Sequence, residues 1–316
     1  MIRLLFAAVI TAATLITGVS NAQSLEPNRP IRFVVPFAPG GQSDVFARIL
    51  AEGLSSIRQT NIENRTGGYI AIAGGFVMNQ PADGHTIINI GNGYTTSRHF
   101  NPEMAFDPRE EFSVIATPLK VPKTLLLPTV NTEIQDFNSL VSAVRARPNF
   151  YTYFSTGGGG TGAMASHLFT SSIGSSMINV PYRGSAPAVT DFLAGRLTMM
   201  FETVPLASQI NGRGARMIAV TSDQRLSSHP DVPTLRELGI NHSFYSWQGI
   251  FVRANTPRPI REQLNNMINQ ALNNQDVRRR ITGTGIEESW IIQNNLTDTE
   301  NFMNSEIAIW RQMFGK

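Results

Sequence analysis

The chain has 316 residues, 41% of them hydrophobic and 16% charged, with a net charge of +3 and no cysteine. That composition fits a globular protein of one large or two ordinary domains. It excludes a disulfide framework, a thiolate metal site and a cysteine nucleophile, and the scattered cations, clustered only in "RRR" at 278–280, give no stripe for nucleic acid.

The first 22 residues carry Arg3, the apolar run "LLFAAVITAATLITGV" and a small-residue exit with Ser20 and Ala22. This predicts a secretory signal peptide cleaved before Gln23, and so an exported protein. The run is rich in Ala and Thr and short of the roughly 20 apolar residues of a membrane span. No later stretch is apolar enough to cross a bilayer.

In "PIRFVVPFA", Ile31, Phe33, Val35 and Phe37 alternate to one face while Val34 makes the other partly apolar. A strand buried on both sides belongs in a parallel sheet between helices. The chain leaves it through Pro39, Gly40 and Gly41, and Gln42 or Ser43 is a candidate cap for the helix that follows. Phe46, Ile49, Leu50, Leu54 and Ile57 recur at three and four, giving that helix one apolar face.

The unit recurs. "TNIENRTGGYIAIAGGFVMNQ" reads as strand, glycine turn and helix, and "HTIINIGNGYTTS" as a strand running into Gly91, Asn92, Gly93 and Tyr94. After "KTLLLPTV" and a polar helix around 137–147, "FYTYFSTGGGGTGAMASHLFTSSIG" is again strand, glycine loop and helix. "SMINVPYRGSAPAVTDFLAGRLTMMFETV" supplies strand, turn, helix and strand, and "RMIAVT" one more strand. Alternation of this kind predicts an α/β fold with parallel-rich sheets. Residues 257–281 then show helical spacing with an Asn-Asn pair near the middle as a break. A last helix opens with Thr297 and Glu300 as a capping-box pair and buries Phe302, Ile307 and Trp310.

Gly157, Gly159 and Gly162 satisfy the spacing of a dinucleotide-binding loop, a cheap match among four consecutive glycines. The acidic residue that would hold a ribose about 20 residues on is missing, and Ala163 and Met164 stand where a phosphate loop needs Lys and Ser or Thr. No cofactor is expected. The glycines either shape a tight turn or let backbone N–H groups approach an anion at a helix N-terminus. Two such loops, one at Gly40 and Gly41 and one at 157–160, favour the second reading. Catalytic motifs are thin: there is no G-x-S-x-G elbow, and the five histidines stand apart without metal spacing.

The segments "PIRFVVPFAPGGQSDVFARILAEGL", "IENRTGG", "PADGHTI", "NVPYRGSAPAVTDFLAGRLTMMFET", "RMIAVTSDQRLSSHPDVPTLRELG" and "WQGIFVRANTPRPIREQLN" resemble the solute receptors of tripartite tricarboxylate transporters, also called Bug proteins. The likeness runs from about Pro30 to the last helix. It implies a two-lobed periplasmic binding protein of the type II class, with two crossing strands and a ligand cleft between the lobes. Lobe 1 would take 23–122 plus 223–316, and lobe 2 would take 123–222. It also implies a small carboxylate ligand, integral-membrane permease subunits as partners, and a monomer without enzymatic activity.

In that family the loops after the first and fourth strands act as pincers on a carboxylate, partly through water. Here these are residues 39–44 and 156–161. Backbone N–H groups at Gly40, Gly41, Gln42, Gly157, Gly159 and Gly160 would supply charge-assisted hydrogen bonds, with hydroxyls from Ser43, Thr156 and Thr161. Asp44 reads as the cap of its own helix. Gly160 and Ala163 stand where many relatives carry Ser and His, which removes donors and widens the pocket. That loss, with Phe37, Tyr94 and Tyr182 near loop ends, points to a larger or aromatic acid, and Asn92 is a further ligand-binding candidate. Glu202 either pairs with a ligand ammonium or hydroxyl, or caps the next turn. An enzyme acting on a carboxylate in the same cleft and a sensor component stay open as alternatives.

Overall fold

The computed structural model describes residues 24–40, 42–68, 70–155, 160–182 and 185–314. The expected signal segment with Gln23, and the site candidates Gly41, Thr156, Gly157 and Gly159, lie outside them. Strand β1 (Ile31–Val35) leads to α1 (Gln42–Ser55), β2 (Thr60–Asn64), α2 (Ala71–Met78), β3 (Thr86–Gly91), α3 (Gly93–Phe100) and the short α4 (Pro108–Glu111). Next come the 17-residue β4 (Phe112–Pro128), α5 (Phe137–Ala146), β5 (Thr152–Ser155), α6 (Thr161–Ser172), β6 (Ile178–Pro181) and α7 (Ser185–Leu193). The chain ends with β7 (Met200–Thr203), α8 (Val204–Ile210), β8 (Ala215–Val220), β9 (Tyr245–Arg253), α9 (Arg258–Asn273), α10 (Gln275–Thr282) and α11 (Leu296–Phe314).

Burial on both faces explains the composition of β1: Ile31, Phe33, Val34 and Val35 are fully buried, and only Arg32 reaches solvent. On one face α1 packs Phe46, Ile49, Leu50 and Leu54 among Leu264 and Ile268 of α9 and Val277 and Ile281 of α10. On the other, Val34, Ile88 and Ile90 meet Trp247 and Phe251 of β9, together with Met303 of α11. Each fully buried side chain of this size contributes about 1.5–3 kcal/mol.

The first lobe is the sheet β2-β1-β3-β9-β4, parallel among β2, β1 and β3 and antiparallel on both sides of β9. Strand β4 pairs with β9 from Phe112 to Pro122, then changes partners: from Lys123 to Pro128 it pairs with β7 on one side and β8 on the other. The second lobe adds β5 and β6, a parallel pair joined to β7 through a bridge between Tyr153 and Met199. Its two cores gather around Leu125, Phe169 and Phe201 on one face and Leu126, Phe154 and Phe192 on the other.

Helix α11 laces the lobes together. Met303 sits in the first-lobe core, while Trp310 sits in the second-lobe core, edge-on to Phe244 at 6.2 Å. The helix is capped by Asn295, whose Oδ1 accepts from the Asp298 N–H at 2.9 Å. Thr297 and Glu300, expected as its capping pair, both hold Arg258 of α9 instead. Among the described residues no helix is long and apolar enough to cross a membrane.

Candidate functional site

The loop after β1 is shaped from within. Gly40 has φ +84°, the left-handed region that glycine enters without cost, and its N–H donates to Asp44 Oδ2 at 2.9 Å. Asp44 is 1% exposed and also accepts from Arg48 Nε at 2.8 Å and from Asn64 Nδ2 at 2.7 Å. Burial alone would raise its carboxyl, but these donors hold it below the ordinary range. The Asp44 charge is thereby matched by Arg48, and the Gly40 N–H is committed. The first N–H groups of α1, beginning at Gln42 and Ser43, have no partner within the helix and face the loop. Asn64 further fixes the loop by donating to the Phe37 carbonyl at 3.0 Å, while Asn89 Nδ2 donates to the Ser43 carbonyl at 3.3 Å. Pro39 is exposed.

On the facing lobe, Gly160 is the N-cap of α6 in extended backbone, and Thr161 opens the helix. Glu202, at the end of β7, is 5% exposed. Its Oε1 accepts from the Thr203 N–H at 2.7 Å and lies 3.5 Å from Lys123 Nζ, and its Oε2 accepts from Ser185 Oγ at 2.5 Å. Both carboxylate oxygens are therefore engaged inside the second lobe, tying β7 to β4 and to the start of α7.

The structure carries the remaining candidates into packing roles. Asn92 donates from Nδ2 to the Tyr245 carbonyl at 2.9 Å and accepts the Trp247 N–H at 3.0 Å, stapling the end of β3 to β9. Tyr94 stacks on Phe251 with centroids 4.5 Å apart and donates to the Phe112 carbonyl at 3.2 Å. Burial first, then Asp107, pushes its phenol up to about 12. Tyr182 gives its hydroxyl to Asp191 at 2.8 Å, alongside Arg196 at 2.6 Å.

A cavity of about 360 Å³ lies where the lobes meet. Gly40 and Val45 line it from the first lobe, Thr203 and Pro205 from the second. It places the loop after β1 beside the β7–α8 junction next to Glu202. Thr203 and Pro205 were not singled out from sequence, where "ETVP" carries only the mark of a helix start. A second cavity of about 310 Å³, polar in character, is lined by Arg98 and Arg109 near α3 and α4 and by Arg311 of α11.

Ser208 Oγ lies 3.1 Å from His229 Nε2, but the hydroxyl donates to the Val204 carbonyl, and Nδ1 faces Ser228 where a triad needs a carboxylate. Among the described residues no group of three or more His, Cys, Asp or Glu could hold a metal ion.

Comparison with known proteins agrees with this picture of two lobes and a cleft. A family model described as the tripartite tricarboxylate transporter family receptor matches residues 46–316. The chain is 33% identical to the "UPF0065 protein in tcbD-tcbE intergenic region" of Pseudomonas sp. strain P51 over 96% of this chain and 91% of that one. Among solved structures, Rpa4515 of R. palustris with adipate is 29% identical, with a TM-score of 0.75 over 92% of this chain and 98% of that one. MatC (Rpa3494) from Rhodopseudomonas palustris with bound malate is 26% identical, also at a TM-score of 0.75, over 92% of this chain and 100% of that one.

Proposed function

We propose that this chain, which belongs to the tripartite tricarboxylate transporter receptor family, is a periplasmic solute-binding receptor that closes its lobes on a small carboxylate and delivers it to integral-membrane permease subunits. The observation that carries the reading is the likeness, over 92% of the chain, to relatives whose structures hold adipate and malate. Residues 23–122 with 223–316 form the first lobe in this reading and 123–222 the second. The change of β4 partners at Lys123 supports that division.

The carboxylate sits between the loops at 39–44 and 156–161. At the first loop it meets N–H groups at the start of α1, aided by the helix dipole and unopposed by Asp44, whose charge Arg48 matches. Ligand binding shifts the population from open to closed, and the permease recognises the closed form. The receptor acts as an exported monomer and leaves its solute chemically unchanged.

Thermal unfolding of the mature protein against a panel of carboxylates tests this. At about 100 times its dissociation constant a ligand adds roughly 2.7 kcal/mol to the folded state. A saturable shift with the acid recovered intact supports a receptor. Consumption of the acid during the assay would replace this reading with an enzyme.

A further inference from the structure

We propose that the cavity beside Gly40 is a subsite for the apolar body of the solute, so that the preferred ligand is a monocarboxylate carrying an alkyl chain or an aromatic ring. The proposal rests on the receptor reading above and names the chemical class that its site selects. It departs from the two-carboxylate ligands held by the structural relatives.

The cavity's chemistry is the first observation. Beyond Gly40 and Val45, its walls are Phe46 and Ile49 of α1, Leu119 of β4, and Ile281 and Ile286 at the end of α10 and just after it. Thr203 and Thr284 are the polar side chains among its described lining residues, and none of those residues is charged. The Thr284 hydroxyl is already spent, donating to the Ile281 carbonyl at 2.6 Å. At about 360 Å³ the space falls within the range of small-molecule sites.

Charge balance is the second. The cations next to the lining are engaged elsewhere: Arg48, which precedes Ile49, pairs with Asp44 at 2.8 Å, Arg280, which precedes Ile281, with Glu52, and Lys123, in register with Thr203, with Glu202 at 3.5 Å, while Lys120, which follows Leu119, lies over the rings of Tyr245 and Phe302 and lines a different cavity. A second ligand carboxylate entering this space would lose its hydration with no cation to receive it, a cost that hydrogen bonds from threonines do not offset. Clustered guanidinium groups do occur in this protein, but around the separate cavity of Arg98, Arg109 and Arg311.

Position is the third. Gly40 belongs both to the loop that meets the carboxylate and to the cavity wall, and Val45 lies in the first turn of α1. A carboxylate held at the start of α1 therefore has its carbon chain beside an apolar space that both lobes complete. Each methylene buried there tightens binding roughly fourfold.

Isothermal titration of the mature protein with propionate, hexanoate, octanoate, benzoate and adipate tests the subsite. The expected result is an affinity that climbs about fourfold per methylene from propionate to hexanoate, with adipate at least about tenfold weaker than hexanoate. Thr284→Trp, at an exposed lining position, fills the space, and Val45→Asn makes its wall polar. Either substitution should bring the ratio of octanoate to propionate affinity down towards one. Using two variants, each checked for an unchanged melting profile, guards against a misfolded protein. Carboxylates that bind with no dependence on chain length, adipate binding more tightly than hexanoate, or an octanoate preference that survives both substitutions would overturn the subsite while leaving the receptor reading in place. If none of these acids nor any other carboxylate binds, the receptor reading falls and the subsite with it.

Discussion

Lys123 and Glu202 face each other at 3.5 Å, each side chain 6% exposed, at the residue where β4 leaves β9 for β7. A pair this buried gains Coulomb energy and loses hydration in similar measure, so its removal is most costly when only one member goes. Glu202→Leu is expected to destabilise the protein by about 3 kcal/mol, because Lys123 is left buried and uncompensated. Lys123→Met with Glu202→Leu should cost less than the sum of the single changes. Urea denaturation of the four proteins measures the coupling, and strict additivity would show that the two charges do not depend on each other.

Asp44 organises the loop after β1, where the ligand carboxylate is proposed to sit, so its substitution should reach both stability and binding. Asp44→Asn retains the shape but weakens the bonds from Gly40, Arg48 and Asn64, with an expected loss of about 1.5–3 kcal/mol. Because its folded carboxyl lies below the ordinary value of 3.8, the stabilisation is present above that value and is lost as pH falls through the lower folded one. Acid titration followed by circular dichroism should show a shallower fall below pH 3.8 in the variant than in the wild type.

Glu306 predicts the opposite pH trend. It accepts from Trp247 Nε1 at 2.9 Å, and burial pushes its carboxyl above the ordinary value of 4.5 despite that bond and the nearby Lys120. The folded state therefore holds a proton that the unfolded chain releases. Stability falls as pH rises from 4.5 through the raised value and levels off beyond it. In Glu306→Gln this falling segment should vanish from a plot of melting temperature against pH, and its persistence would assign the slope to other groups.

Gly285 has φ +89°, and a Cβ built on it would meet Pro205 of α8 at 2.9 Å. Gly285→Ala should cost about 1–2 kcal/mol from the left-handed backbone alone, plus the contact with Pro205. The same substitution in a Pro205→Ala background should cost less, since only the backbone part remains. Equal costs in the two backgrounds would mean that the proline yields freely.

Several elements were legible in sequence: β1 from alternation, α1 from its spacing at three and four, α5 as a polar helix around 137–147. Strand β4 was legible only in its second half, "KTLLLPTV". Its earlier half contains Pro118 and Pro122, residues that interrupt a strand pattern; the register shifts between Ala116 and Leu119, and such an irregularity tolerates Pro118. Strand β9 carried no alternation because the cores on both sides of the sheet bury it. The candidate site divides along the same line. Gly40 and its loop stood out through glycine and proline chemistry confined to a few residues. Asn92 and Tyr94 looked like loop-end ligands, and their roles depend on β9, some 150 residues away in sequence. The apolar cavity draws Leu119, Pro205 and Ile281 from separate elements, and no local pattern joins them.

The interleaving of the first sheet also constrains how the protein comes into being. Strands β1, β2 and β3 are near the beginning of the chain, but β3 and the first half of β4 find their common neighbour only in Tyr245–Arg253, and α1, which packs on β1 and β2, has its helix neighbours in the distant α9 and α10. The pairing of β4, β7 and β8 draws on a single continuous stretch and can form as soon as that stretch is made. A chain emerging from its N-terminus thus holds its earliest strands open until nearly all of it has been synthesised, because contacts so distant in sequence form late. In the exported receptor proposed above, delayed closure of the leading segment keeps the chain threadable.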